Sequence, residues 1–101
     1  MQGINVIDFA TLTVLDDAVT TLVADASPTL PGKAKKAFIT CETASVRWTA
    51  DGTTPETTVG HILIKDDSIS FTGADYRQLL EKIKFIAATA THGALSITYF
   101  D

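Results

Sequence analysis

The sequence predicts an all-β fold, an antiparallel β-sandwich of about seven or eight strands, immunoglobulin-like or jelly-roll, with one short helix near 74–82. Three observations lead there. Short runs rich in Thr and β-branched residues recur along the chain. Several of them alternate apolar and polar side chains with a period of two, as Val46-Arg47-Trp48-Thr49 does. Clusters of Gly, Pro and Asp separate the runs and act as turn signals. With 101 residues, 46% of them hydrophobic and 20% charged, the chain has the composition of one globular domain, 1–101.

The first strand expected is Ile4 to Phe9, followed by Thr11 to Leu15. Residues 1–9 form either an N-terminal arm or an edge strand. Asp16 and Asp17 suit a turn, and Val19 to Ala24 reads as another strand. Pro28 and Pro31 lie in a loop over 25–36, because each proline removes a backbone donor and cannot continue a ladder. Ala37 to Cys41 and Ser45 to Thr49 read as consecutive strands, with Val46 and Trp48 sharing one face. The turn signal Asp51-Gly52 opens a wide polar loop that leads into Val59 to Ile64.

Two hairpins follow from face matching. A turn at Asp66-Asp67 sets Ile64 opposite Ile69 and Ile62 opposite Phe71. A turn at His92-Gly93 sets Ala90, Ala88 and Ile86 opposite Leu95, Ile97 and Tyr99. Between them, Tyr76, Leu79, Leu80 and Ile83 have helical spacing, and Thr72 with Asp75 resembles a capping box.

The chemistry-bearing residues are sparse. His61 and His92 lie in different elements without carboxylates or cysteines at ligand spacing, so no metal site, cofactor or catalytic residue is expected. Asp51 reads as a turn acid that accepts bonds from the following amides. The single cysteine, Cys41, sits in a strand pattern as a small buried hydrophobe. Eight Lys and Arg against twelve acids give a net charge of −4, which disfavours nucleic acid as a partner. Gln2, Asn5 and Asp8 break the one N-terminal apolar stretch, so it does not read as a leader, and no run reaches the roughly 18 apolar residues of a membrane span. The expected activity is therefore binding or assembly rather than enzymatic turnover. The residues proposed for partner contact are the apolar Ile4, Val6 and Phe9 and the basic Lys33, Lys35 and Lys36.

Residues 37–101 resemble small virion-associated proteins of tailed bacteriophages. The resemblance runs through Ala37-Phe38-Ile39-Thr40, then Val46-Arg47-Trp48-Thr49-Ala50-Asp51-Gly52-Thr53-Thr54-Pro55 and Val59-Gly60-His61-Ile62-Leu63. It continues through Asp67-Ser68-Ile69 and Lys84-Phe85-Ile86 and ends at Leu95-Ser96-Ile97-Thr98-Tyr99-Phe100. The segment Val46 to Pro55 is also similar to a strand-and-loop motif of the immunoglobulin-like domains of chitobiases, where it is a scaffold feature. The first resemblance implies a non-enzymatic structural component, a head decoration, neck or tail-associated part. It would be made in the bacterial host cytoplasm and located in the virion. Its partners would be capsid, neck or tail proteins and copies of itself, with no nucleic acid or membrane. The alternative is a β-sandwich module that binds carbohydrate or a host surface, favoured if Trp48 or Tyr76 is exposed near Asp51 or Glu56.

Overall fold

The computed structural model describes residues 5–101. Its eight strands are β1 (Val6–Val14), β2 (Thr20–Thr21), β3 (Lys36–Glu42), β4 (Val46–Thr49), β5 (His61–Leu63), β6 (Ser68–Phe71), β7 (Lys84–Ala87) and β8 (Gly93–Phe100). One helix, α1 (Arg77–Lys82), lies between β6 and β7. The strands form two four-stranded antiparallel sheets, a large one in the order β1-β8-β3-β6 and a small one in the order β2-β7-β4-β5. First therefore pairs with last, second with seventh, third with sixth and fourth with fifth. Of the two expected topologies this is the jelly roll, a ribbon of paired strands wrapped so that successive pairs alternate between sheets.

Period-two alternation builds the large sheet. In β8, Gly93, Leu95, Ile97 and Tyr99 are buried while Ala94, Ser96, Thr98 and Phe100 are half-buried on the other side. In β3, Ala37, Ile39 and Cys41 point inward in the same way. They meet Val46 and Leu63 of the small sheet, together with Leu80, Ile83, Phe85 and Ala87, in one continuous core. Cys41 is buried as expected, its thiol donating toward the Ala44 carbonyl at 3.2 Å, and burial followed by nearby Asp66 raises its pKa.

Several local expectations are corrected. The two N-terminal strands are one strand, β1, which keeps its pairing with β8 through a register shift between Val6 and Asp8. The strand expected over Val19 to Ala24 shrinks to Thr20–Thr21. A turn wins there: the Asp25 carboxylate accepts the Thr21 amide at 2.8 Å, and the Asp25 amide bonds the Thr21 carbonyl at 3.0 Å. The helix starts at Arg77, later than expected, and Thr72 does not cap it. Instead Asp75 accepts the Arg77 amide at 2.9 Å.

Neither expected hairpin forms. β5 pairs with β4 in the small sheet, whereas β6 pairs with β3 in the large one. The chain turns the corner at Asp66, whose φ is +75°, and the turn is tied to β3: the Asp66 amide reaches the Cys41 carbonyl at 2.7 Å, and the Cys41 amide reaches the Asp67 carbonyl at 2.9 Å. Ile62 and Ile64 are consequently exposed, and only Phe71 of the expected cluster is buried, with Ile69 half-buried. The chain likewise crosses from β7 to β8. β7 buries Phe85 and Ala87 rather than Ile86 and Ala88, so the predicted face of β8 is right and that of β7 is inverted. Gly93 is not a turn residue but the first residue of β8, and a Cβ there would lie 2.7 Å from Val46 Cγ1 of the opposing sheet. Close sheet-to-sheet approach is what calls for glycine at this position.

Candidate functional site

Of the partner-contact residues named from the sequence, Val6, Phe9, Lys35 and Lys36 fall at one end of the large sheet. Val6 of β1 and Lys36 of β3 both lie opposite Phe100 of the intervening β8. One row further along, Phe9 and Phe38 flank Thr98 from either side. These side chains point away from the core, and Val6, Phe9 and Phe38 are 67%, 56% and 37% exposed. The next row, Thr11, Ser96, Thr40 and Ser68, is polar. The outer face thus changes from apolar to hydroxyl-rich along the strands.

Lys35 and Lys36 border the apolar end: the Lys35 amide bonds the Phe100 carbonyl at 2.9 Å, and Lys36 Nζ donates to the Asp101 carbonyl oxygen at 3.2 Å. Lys33 is exposed in the preceding loop, and Ile4 lies outside the described residues. Sequence reasoning missed Phe38 and Phe100 as members of this patch. Their alternation with buried Ala37, Ile39 and Tyr99 was readable, but the register that sets them beside Val6 and Phe9 was not.

Residues Val6–Phe9 belong to the chain's own sheet, and the free edge of β1 is blunted. Thr11 exchanges two backbone bonds with Ser27, at 3.0 and 2.8 Å. The Phe9 amide, which points the same way, is taken by the Asp8 carboxylate at 2.8 Å. Both arrangements occupy groups that an added strand would need. On this side of the sheet the outer face, rather than the β1 edge, is the surface open to contact.

A second feature lies on the small sheet, at the end where Trp48 pairs with His61. The loop between β4 and β5 walls an open cleft of about 510 Å³, lined by Trp48, Asp51, Thr53, Val59, Gly60 and His61 among others. Trp48 is half-buried and packs on the core as its alternation with Val46 implied, with its ring edge-on to Phe71 at 5.7 Å between centroids. His61 lies against the same indole at 4.7 Å. Asp51 accepts the Thr53 amide at 3.0 Å, the turn-acid role expected for it, and this bond holds its carboxyl below the usual range. Tyr76 is half-buried against Phe71 and lies outside the cleft lining.

The loop is firmly tied. Arg47 Nε and Nη1 donate to the carbonyls of Thr57 and Gly60, each at 3.2 Å. The Thr49 hydroxyl donates to the Thr53 carbonyl, and Glu56 and Val59 exchange backbone bonds. Gly60 has φ +120°, and a Cβ on it would stand 2.9 Å from the Trp48 carbonyl oxygen.

The structure also joins residues that the sequence kept apart. His92 Nε2 lies 2.8 Å from Asp16 Oδ1, linking the β7–β8 and β1–β2 connections. Asp17 is close enough that one potential ligand atom from each of the three residues lies within 4.8 Å of the others. With His92 half-exposed, this is a solvent-exposed contact in which Nε2–H donates to the Asp16 carboxylate, of the kind that contributes little to stability.

The chain matches no protein-family model, no curated protein and no solved structure.

Proposed function

We propose that the chain is a non-enzymatic structural component of a bacteriophage particle, seated on neighbouring virion proteins by the outer face of its large sheet. The observation that carries this reading is the exposed apolar cluster of Val6, Phe9 and Phe38 around Phe100. A contiguous apolar patch with a polar surround is the usual mark of a protein contact. Lys35 and Lys36 at its border suit an acidic rim on the partner. The resemblance of residues 37–101 to virion-associated proteins points to the particle, and the jelly-roll sandwich is an architecture that capsid proteins use.

The test is density-gradient fractionation of the native source, with this chain counted by mass spectrometry in each fraction. Co-migration with intact particles at a fixed copy number is expected, and the number separates a capsid-wide role from a neck or tail ring. The double variant Phe9→Ser/Phe38→Ser should stay folded yet drop out of the particle fractions. Wild-type protein found only at the top of the gradient would remove the reading.

A further inference from the structure

The cleft between β4 and β5 is not needed for the seating proposed above, and its lining has a chemistry of its own. It joins an aromatic wall, Trp48 with His61, to an ionised carboxylate, Asp51, and a hydroxyl, Thr53. Its volume of about 510 Å³ lies within the range of small-molecule sites, and its mouth is open to solvent. We propose that this cleft binds a neutral saccharide, one ring of which packs its C–H face on the Trp48–His61 wall while its hydroxyls donate to Asp51.

Three observations select this ligand class. Asp51 spends one acceptor position on the Thr53 amide, and an ionised carboxylate has about four, so acceptors remain for hydroxyl donors. Among the described residues no Lys or Arg lines the cleft, and the two cations at its loop, Arg47 and Lys84, donate to the carbonyls of Gly60 and Gly52, so a phosphate or carboxylate ligand would meet the Asp51 carboxylate with no cation in the lining. A purely apolar ligand would leave the carboxylate desolvated and unpaired, which is costly. A sugar ring, apolar on one face and rich in donors at its rim, answers both walls at once.

The site is also held in shape before any ligand arrives. Arg47 ties the loop at Thr57 and Gly60, and Thr49 ties it at Thr53. The left-handed backbone at Gly60 lets the chain pass against the Trp48 carbonyl. Ordering costs at binding are correspondingly small. An open mouth suits a residue within or at the end of a longer glycan better than a free monosaccharide.

Trp48 is the only tryptophan in the chain, so tryptophan emission, excited selectively over the two tyrosines, reports on this cleft. The full chain would be titrated with maltotriose, cellotriose, lactose and triacetylchitotriose. A saturable change is expected with at least one of them. Asp51→Ala should weaken that binding about tenfold, the loss of one hydrogen bond to a charged group. Asp67→Asn, at a distant turn, should leave it unchanged.

Because Asp51 also supports its own turn, His61→Ala provides a second variant at an exposed position. Its affinity for the same sugar, followed by amide chemical shifts, should fall several-fold while the rest of the spectrum stays folded. No saturable response to any of the four sugars, or a response that survives both Asp51→Ala and His61→Ala, would overturn the proposal. Either result leaves the gradient experiment untouched, so failure of the cleft and failure of the particle reading are separable.

Discussion

The two sheets share one core but are built differently. Strands of the large sheet run 9, 8, 7 and 4 residues, those of the small sheet 2, 4, 4 and 3. Long strands with regular alternation give the large sheet a continuous outer face, apolar at one end. The small sheet has little ladder of its own. Side chain–backbone bonds from Thr49, Arg47 and Asp51 shape the loop at its end. One sheet presents a surface and the other carries a loop, which is why the proposed assembly face and the proposed ligand cleft lie on different sheets.

Removing the same side chain from each sheet should have very different consequences. Ile97, at the centre of β8, is fully buried, so Ile97→Ala should cost about 3–4 kcal/mol in urea denaturation. Ile62, on the short edge strand β5, is 45% exposed, and Ile62→Ala should cost less than about 0.5 kcal/mol. Comparable losses would mean that Ile62 is buried in solution, as the expected β5–β6 hairpin required. A single unfolding transition is expected for the parent chain, because both sheets contribute to one hydrophobic cluster.

The next largest effect tests the loop. Gly60→Ala combines a backbone conformation that only glycine adopts readily with a contact of 2.9 Å to the Trp48 carbonyl oxygen. A loss of about 2 kcal/mol is expected, with a shift in Trp48 emission. Gly32→Ala, where a Cβ would meet nothing within 4 Å, is the control and should change stability by less than about 1 kcal/mol. Equal effects at the two positions would show that the cleft loop is not held as tightly as its hydrogen bonds imply.

The same contrast explains how far the sequence could be read. Alternation identified the buried face of β8 and the shared face of Val46 and Trp48, because period two is a local property. Pairing is not local. In a jelly roll of this order only β4 and β5 are neighbours both in sequence and in a sheet, so face matching between adjacent runs suggested hairpins at Asp66-Asp67 and His92-Gly93 that do not form. The Cys41 backbone bonds that turn the chain at Asp66 leave no trace in the pattern of residue types. Half of the apolar patch was named from β1, while Phe38 and Phe100 needed the register. Asp51 was read correctly as a turn acid, but its place beside His61 depends on the β4–β5 pairing and the bonds of Arg47.

The regularity of the large sheet fails in one place, the register shift between Val6 and Asp8, and the smallest predicted effect lies there. Tyr99, paired across the sheet with Asp8, is fully buried, and among the described residues its hydroxyl meets no hydrogen-bond partner. Burial, and secondarily the Asp8 charge, pushes its pKa up to about 12. Leaving a hydroxyl buried and unpaired is unfavourable, so Tyr99→Phe should stabilise the chain by about 1 kcal/mol at pH 7. The pH dependence has a definite sign. The folded state holds the phenolic proton more tightly than the unfolded chain, whose tyrosine titrates near 10. This contribution is therefore complete below pH 10 and is lost as pH rises toward 12, at roughly 2 kcal/mol in all. Urea midpoints measured from pH 8 to 11.5 should fall more steeply for the parent than for Tyr99→Phe. Parallel curves, or a substitution that destabilises at pH 7, would show that the hydroxyl finds a partner and that the irregular end of the large sheet is better satisfied than its geometry indicates.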